Sequence, residues 1–267
     1  MEKTKEEVKE ILKNMTWSYS SVNTFETCPY SFKLTYLDRE KRAENIFSQV
    51  GNSVHSTFEE YFKGEVEIFE MDNRFLENYQ KYVKLSPPRM LLKYNYEEKN
   101  IDLISKYFRN MDLSREDFEV LCIEDKIEYA QDGIKIVVKP DLIVRRLSDG
   151  KVTLYDYKTS SYKKDSHSGY AYQCSLYACL YEKVKGVHID EMNIIYVKEQ
   201  TKRRGEQPKF GRIIPMVYDE KVLGKFYYGV SGILAEREWN PKLEQFFCNE
   251  ICSMRKICGY KENTFGV

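Results

Sequence analysis

A chain of 267 residues, 42% hydrophobic and 31% charged, is long enough for one large domain, or a core with a sizeable insertion, around a real apolar interior. Its 42 basic and 42 acidic side chains cancel to a formal net charge of zero, so the composition carries no bulk attraction to nucleic acid and any basic patch has to be local. No apolar run reaches membrane-spanning length and the opening MEKTKEEVKEILKN is unlike a secretory signal, while seven cysteines, an odd number, argue against a disulfide framework; the expectation is a cytoplasmic protein with no membrane partner.

In chain order, residues 4–14 read as a short helix ahead of the domain. WSYSSVNTFETCPYSFKLTYL follows, with serines suited to capping, aromatics at helical spacing and Cys28 next to Pro29. Residues 46–63 form a helix carrying His55, which on its own is an ordinary half-buried packing histidine. From 64 to 117 the pattern is helical, charged and aromatic, interrupted by Ser86-Pro87-Pro88, and reads as a helical insertion. Strand character starts at Phe118 with EVLCIEDKIEYA, which carries Glu124 and Glu128 within reach of the metal face described next; one of them is a candidate to support that site, with solvent exposure the default for both.

The centre of the chain is IKIVVKPDLIVRRLSDGKVTLYDYK, residues 134–158, read as two β-rich strands, an LSDG turn and an alternating strand. A hairpin of this kind puts Asp141 on one strand and Asp156 on the next, and alternation points Asp156 and Lys158 to the same face. Two carboxylates and an ammonium on one face are costly unless something binds there. A divalent metal between the carboxylates would offset their repulsion, with the lysine holding a water; the bland alternative is a solvated hairpin.

A polar loop, 159–168, then leads into the helix GYAYQCSLYACLYEKVKG. Its Gln173 and Tyr177, four apart, share a face, and its Cys174 and Cys179 are packing residues. A strand MNIIYVKEQ follows. The basic loop after it, with Lys202, Arg203, Arg204, Lys209 and Arg212, is the densest positive stretch and a candidate phosphate-tracking surface. The strand RIIPMV and a helix over 219–238 come next. This order suggests an α/β core with a mixed central sheet flanked by helices. Near the end, CNEICSMRKIC gathers Cys248, Cys252 and Cys258, three thiols that indicate metal more than packing. Cys28 is the natural fourth ligand, making a staple between the N- and C-terminal segments. A [4Fe-4S] cluster and a Zn(Cys)4 site both fit that ligand count.

Taken together, His55, Asp141, Asp156-Tyr157-Lys158 and Gln173-x-x-x-Tyr177 resemble the motif order of the RecB-like branch of the PD-(D/E)XK nucleases. One early and three late cysteines resemble its iron–sulfur subgroup, which includes the AddB nuclease domain and the CRISPR-associated exonucleases. The likeness runs from about residue 17 to 260. The late cysteines depart from it, spaced C-x3-C-x5-C where the subgroup has C-x2-C-x5-C. The resemblance implies a restriction-endonuclease-like fold, with residues 1–16 as an extension and 17–267 as one nuclease domain. His55, Asp141, Asp156 and the Tyr157 carbonyl would ligate Mg2+ or Mn2+, Lys158 would orient the attacking water, and Gln173 and Tyr177 would line the site. Cys28, Cys248, Cys252 and Cys258 would hold the cluster in a structural role. The implied function is a DNA exonuclease acting at single- or double-stranded ends in recombination, repair or phage-type processing. No phosphate-binding helicase motif is present, so a motor or recombination protein would be a separate partner. Alternatives of the same sequence are a CRISPR-adaptation nuclease trimming spacer precursors and a non-catalytic DNA-end-binding module.

Overall fold

The computed structural model describes residues 3–164, 167–201 and 208–260, and its chain divides into two compact units. The first unit comprises residues 1–45, 127–138 and 220–267; the second comprises 46–126 and 139–219.

In the first unit, helix α1 (Lys5–Asn14) starts at a capping box in which Thr4 and Glu7 satisfy each other's backbone N–H. A two-residue strand β1 (Thr16–Trp17) precedes α2 (Tyr19–Thr27), which Ser18 and Ser21 cap in the same reciprocal way. Cys28 ends α2 and Pro29 opens the single-turn α3 (Pro29–Phe32), since proline needs no N–H at a first helical position. A π-helical turn follows over Lys33–Leu37. Phe32 is fully buried, stacked between Trp17 and Trp239. Strands β3 (Ile127–Gln131) and β4 (Ile134–Val138) form an antiparallel hairpin, extended by β1 pairing parallel to β4. Helix α9 (Val222–Ala235) and a π-helical turn at Phe247–Ile251 complete the unit.

The second unit is built on a five-stranded mixed sheet in the order β2 (Phe118–Ile123), β5 (Leu142–Arg146), β6 (Val152–Lys158), β7 (Glu191–Thr201), β8 (Lys209–Pro215). Only β6 and β7 run parallel, joined by helix α8 (His167–Lys185) as crossover. Helices α4 (Ile46–Phe62), α5 (Met71–Tyr82), the short α6 (Arg89–Leu92) and α7 (Tyr96–Arg109) belong to the same unit. Their apolar residues Val54, Phe58, Phe75, Ile104 and Phe108 form one core with Leu142, Val144, Tyr157, Ile195 and Val197 of the sheet. Phe58 lies flat on Tyr157, ring centroids 3.6 Å apart and planes within 3°, which fixes α4 against β6. Gly211, at φ +76°, sits at the register shift in the β7–β8 pairing, and a Cβ there would run into the Tyr107 ring. No helix among the described residues is long and apolar enough to cross a membrane.

Two strand expectations are corrected. The run from Phe118 to Ala130 is two strands in different sheets, broken at Glu124, whose φ of 51° is left-handed. IKIVV and LIVRR are likewise in different sheets, because Pro140 supplies no ladder N–H and the chain leaves one sheet before entering the next. The central hairpin is therefore β5–β6, and Asp141 stands one residue before β5 and not on a strand.

Candidate active site

The site forms in the second unit, where the start of β5, the end of β6, one face of α4 and the break after β2 come together. Leu142 pairs with Tyr155, so Asp141 enters opposite the Asp156 end of β6. Its Oδ2 accepts the Tyr157 backbone N–H at 2.7 Å, which ties the carboxylate to the neighbouring strand. Asp156 is 1% exposed and Asp141 8%, so both carboxylates are held out of water.

Each charge has a nearby counter-charge. His55, on α4, places Nδ1 2.9 Å from Glu124 Oε1 and 3.5 Å from Asp141 Oδ1. Glu124 Oε2 also meets Lys139 Nζ at 2.5 Å. Lys158 Nζ lies 2.5 Å from Asp156 Oδ2, yet neither Asp156 oxygen has a well-directed hydrogen bond. That contact engages Oδ2 and leaves Oδ1 of a buried carboxylate without a partner, an expensive state for a purely structural residue. Lys158 Nζ also reaches Gln173 Oε1 at 3.4 Å, and Gln173 Nε2 donates to the Tyr177 hydroxyl at 2.9 Å. The i, i+4 pair on α8 thus acts as a brace beside the ammonium.

These neighbours displace the titrations. Burial works to lower the His55 imidazole, but Asp141, Glu124 and Asp156 outweigh it and push it up to about 9. Burial, together with Asp156, raises the Asp141 carboxyl to about 7. Burial also opposes the charge on Lys158, and Asp156 and Asp141 overcome it to hold the ammonium far above its ordinary range. Glu124 is lowered, burial being outweighed by its bonds to His55 and Lys139. Three carboxylates (Glu124, Asp141, Asp156) thus face three basic groups (His55, Lys139, Lys158).

One ligand atom each from His55, Glu124 and Asp141 lie within 4.8 Å of one another, a donor set of imidazole nitrogen and carboxylate oxygen suited to a divalent cation. Asp156 stands outside this trio, turned toward Lys158. Glu124 joins it although the sequence leaves that residue exposed by default. The signal was the polar Glu124-Asp125-Lys126 interruption between two β-rich runs, which brings a carboxylate to the end of β2. Glu128, by contrast, lies on β3 in the first unit.

The cysteines of the first unit meet differently. Cys28, Cys248, Cys252 and Cys258 all line one small cavity with Tyr30, Leu34, Phe247 and Met254. Three of their sulfurs receive backbone N–H groups at 3.4 Å: Cys28 from Ser31, Cys248 from Glu244 and Cys252 from Met254. No three of the four sulfurs lie within 4.8 Å of one another, so the thiols line a common space without forming a preassembled mononuclear metal site. Cys174 and Cys179 are buried on α8. Of the basic loop, Lys202, Arg203 and Arg204 lie outside the described residues; Lys209 is exposed at the start of β8, and Arg212 lies within that strand.

Residues 16–259 match the model of the PD-(D/E)XK nuclease superfamily. The chain belongs to that superfamily. No curated protein matches the chain. Among solved structures it is similar to the crystal structure of SSO0001, at 16% identity and a TM-score of 0.33 over 87% of this chain and 95% of that one, a likeness too distant to bear on the chemistry. Membership suggests a metal-dependent nuclease that binds DNA, and the His55–Glu124–Asp141 group is a possible metal site in keeping with it. The mixed sheet flanked by helices fits a restriction-endonuclease-like core.

Proposed function

We propose that this chain is an Mg2+- or Mn2+-dependent DNA exonuclease that hydrolyses phosphodiester bonds at DNA ends in recombination, repair or phage-type processing. The observation that carries the reading is the buried Asp156–Lys158 pair, unsatisfied at the carboxylate, beside the converging His55, Glu124 and Asp141. His55, Asp141, Asp156 and the Tyr157 carbonyl would hold the ion, and Glu124 is positioned to join them. Bound there, the ion supplies Lewis acidity and lowers the pKa of water.

The chain's own residues do the rest. Lys158 is cationic at any working pH and presents its ammonium where negative charge grows on the phosphate oxygens. It also orients the attacking water, whose oxygen forms the new bond to phosphorus as the bond to the leaving ester oxygen breaks in line, the water's proton passing to solvent and the leaving oxygen taking one up from solvent. Gln173 and Tyr177 hold Lys158 at its station, so that little reorganisation accompanies the reaction. Asp141 is oriented by the Tyr157 N–H, and the Phe58–Tyr157 stack fixes α4 and hence His55.

In the same reading residues 17–267 form one nuclease domain with a helical insertion at 64–117, preceded by the extension 1–16. Cys28, Cys248, Cys252 and Cys258 hold a [4Fe-4S] cluster that staples the terminal segments. Their shared cavity and the N–H groups aimed at three sulfurs support this.

Anaerobically purified protein with Mn2+ or Mg2+, given end-labelled linear and covalently closed circular DNA, tests the activity. Degradation of linear DNA from its ends with the circle spared is the expected result. Cutting of the circle would make the enzyme an endonuclease. Binding of ends without cleavage under either metal would make the chain an end-binding module.

A further inference from the structure

Beyond the metal centre, one row of side chains crosses the same sheet toward its β8 edge. Lys158 on β6 pairs in register with Tyr196 on β7, and Tyr196 pairs with Arg212 on β8. Directly opposed residues project from the same face, and two strand spacings set the Arg212 and Lys158 Cα atoms about 10 Å apart. Three tyrosines fill the interval. Tyr170 of α8 lies under Lys158, 4.9 Å from Nζ to the ring centroid, and meets Tyr196 edge-on at 6.3 Å. Tyr196 meets Tyr162 edge-on at 5.4 Å, and the Arg212 guanidinium sits 4.1 Å above the Tyr162 ring. Tyr162 is anchored in turn: its N–H donates to Glu199 Oε1 at 2.8 Å.

Among the described residues Arg212 forms no ion pair, and its side chain sits over the Tyr162 ring. A guanidinium placed over an aromatic face spends little of its hydrogen-bonding capacity there and keeps its N–H groups available. Their fork matches two oxygens of a phosphate. The ring contact also fixes the side chain before anything binds, which lowers the ordering cost of capturing a ligand. The row thus presents a cation at the reacting centre and a second, pre-oriented cation farther along one face, on a chain with no net charge to attract a polyanion otherwise.

We propose that Arg212, held by Tyr162, is a substrate-positioning subsite that grips a backbone phosphate flanking the scissile one, so that the bound DNA strand crosses the sheet from β6 toward β8. The proposal rests on the nuclease reading for the word scissile; the phosphate contact itself can be tested without cleavage. Arg212 touches no reacting atom. Its loss weakens capture of a strand and leaves the chemical step alone.

The test is equilibrium binding of a fluorescein-labelled single-stranded oligonucleotide, in Ca2+, across a series of NaCl concentrations, to wild type, Arg212→Ala, Arg212→Gln and Arg212→Lys. Thermal unfolding of each variant checks the fold. Loss of one phosphate contact is expected to reduce the slope of log affinity against log salt by about 0.7 in the Ala and Gln variants. Arg212→Lys should keep the slope, since it keeps the charge. With Mn2+ on the same oligonucleotide, the Ala variant should show a raised KM and an unchanged kcat. An unchanged salt slope in folded Ala and Gln variants overturns the subsite. A reduced slope in a wild-type protein that cleaves nothing leaves the subsite standing and removes the nuclease reading. Wild type that fails to bind the strand overturns the subsite and leaves the nuclease reading to the assay on linear and circular DNA.

Discussion

Divalent metal binding at the His55–Glu124–Asp141 group should expel about one proton per ion near neutral pH. The imidazole titrates at about 9 and the Asp141 carboxyl at about 7. At pH 7.5 His55 is then mostly protonated and Asp141 partly so, and the pair carries roughly one proton. Both groups bind metal only when deprotonated, so these protons leave as the ion enters. Calorimetric titration with Mn2+ in two buffers of different ionisation enthalpy gives that number as a slope. His55→Gln should remove most of it and weaken binding. A slope of zero at pH 7.5 for wild-type protein that binds Mn2+ would refute the electrostatic account, because His55 would then already be neutral. The sign for stability follows from the same shifts. Both folded-state values lie above the unfolded ones, so the metal-free protein is stabilised at low pH. The Asp141 share is complete below pH 3.8 and lost through about 7; the His55 share is complete below 6.5 and lost through about 9. The rise in Tm on adding Mn2+ should therefore grow with pH over that range.

Four further outcomes are expected. Glu124→Gln removes the carboxylate between His55 and Lys139, and should lower the His55 pKa, read by NMR titration, and weaken Mn2+ binding about 10- to 100-fold; an unmoved imidazole would exclude the contact. Tyr177→Phe leaves Gln173 without its hydroxyl partner and should reduce kcat with little change in KM for DNA, whereas a pure KM effect would argue against the brace. Gly211→Ala combines a φ of +76° with a Cβ driven into Tyr107, and should destabilise the protein by more than about 1 kcal/mol in denaturant unfolding. Cys252→Ser should lower iron content and visible absorption in anaerobically purified protein; equal iron in variant and wild type would remove Cys252 from the proposed ligand set.

Much of this was legible in the sequence for simple reasons. Helix α4 carries a periodic apolar face, and the D-x-K alternation on β6 orients Asp156 and Lys158 whatever the surrounding fold. The i, i+4 spacing of Gln173 and Tyr177 likewise makes them neighbours before any tertiary contact forms. The strand pairings were harder. The Asp132-Gly133 turn, with φ of 52° and 77°, is a strong hairpin signal that joins β3 to β4, yet IKIVV and LIVRR look continuous because both are β-branched. Only Pro140 betrays the break between them. Glu124 could not be separated from Glu128 as the supporting carboxylate, because its left-handed turn after Ile123 and its bonds to His55 and Lys139 depend on elements distant in the chain. The Arg212–Tyr162 contact depends on register across two strand pairs, which no local pattern encodes.

The most direct test of the account is hydrolysis of end-labelled DNA with Mn2+ by wild type, Asp156→Asn and Lys158→Ala, each first shown to be folded. Cleavage by wild type that needs the metal and is lost in both variants is the expected result. Cleavage that survives in both variants would contradict the assignment of the buried Asp156–Lys158 pair as the reacting centre.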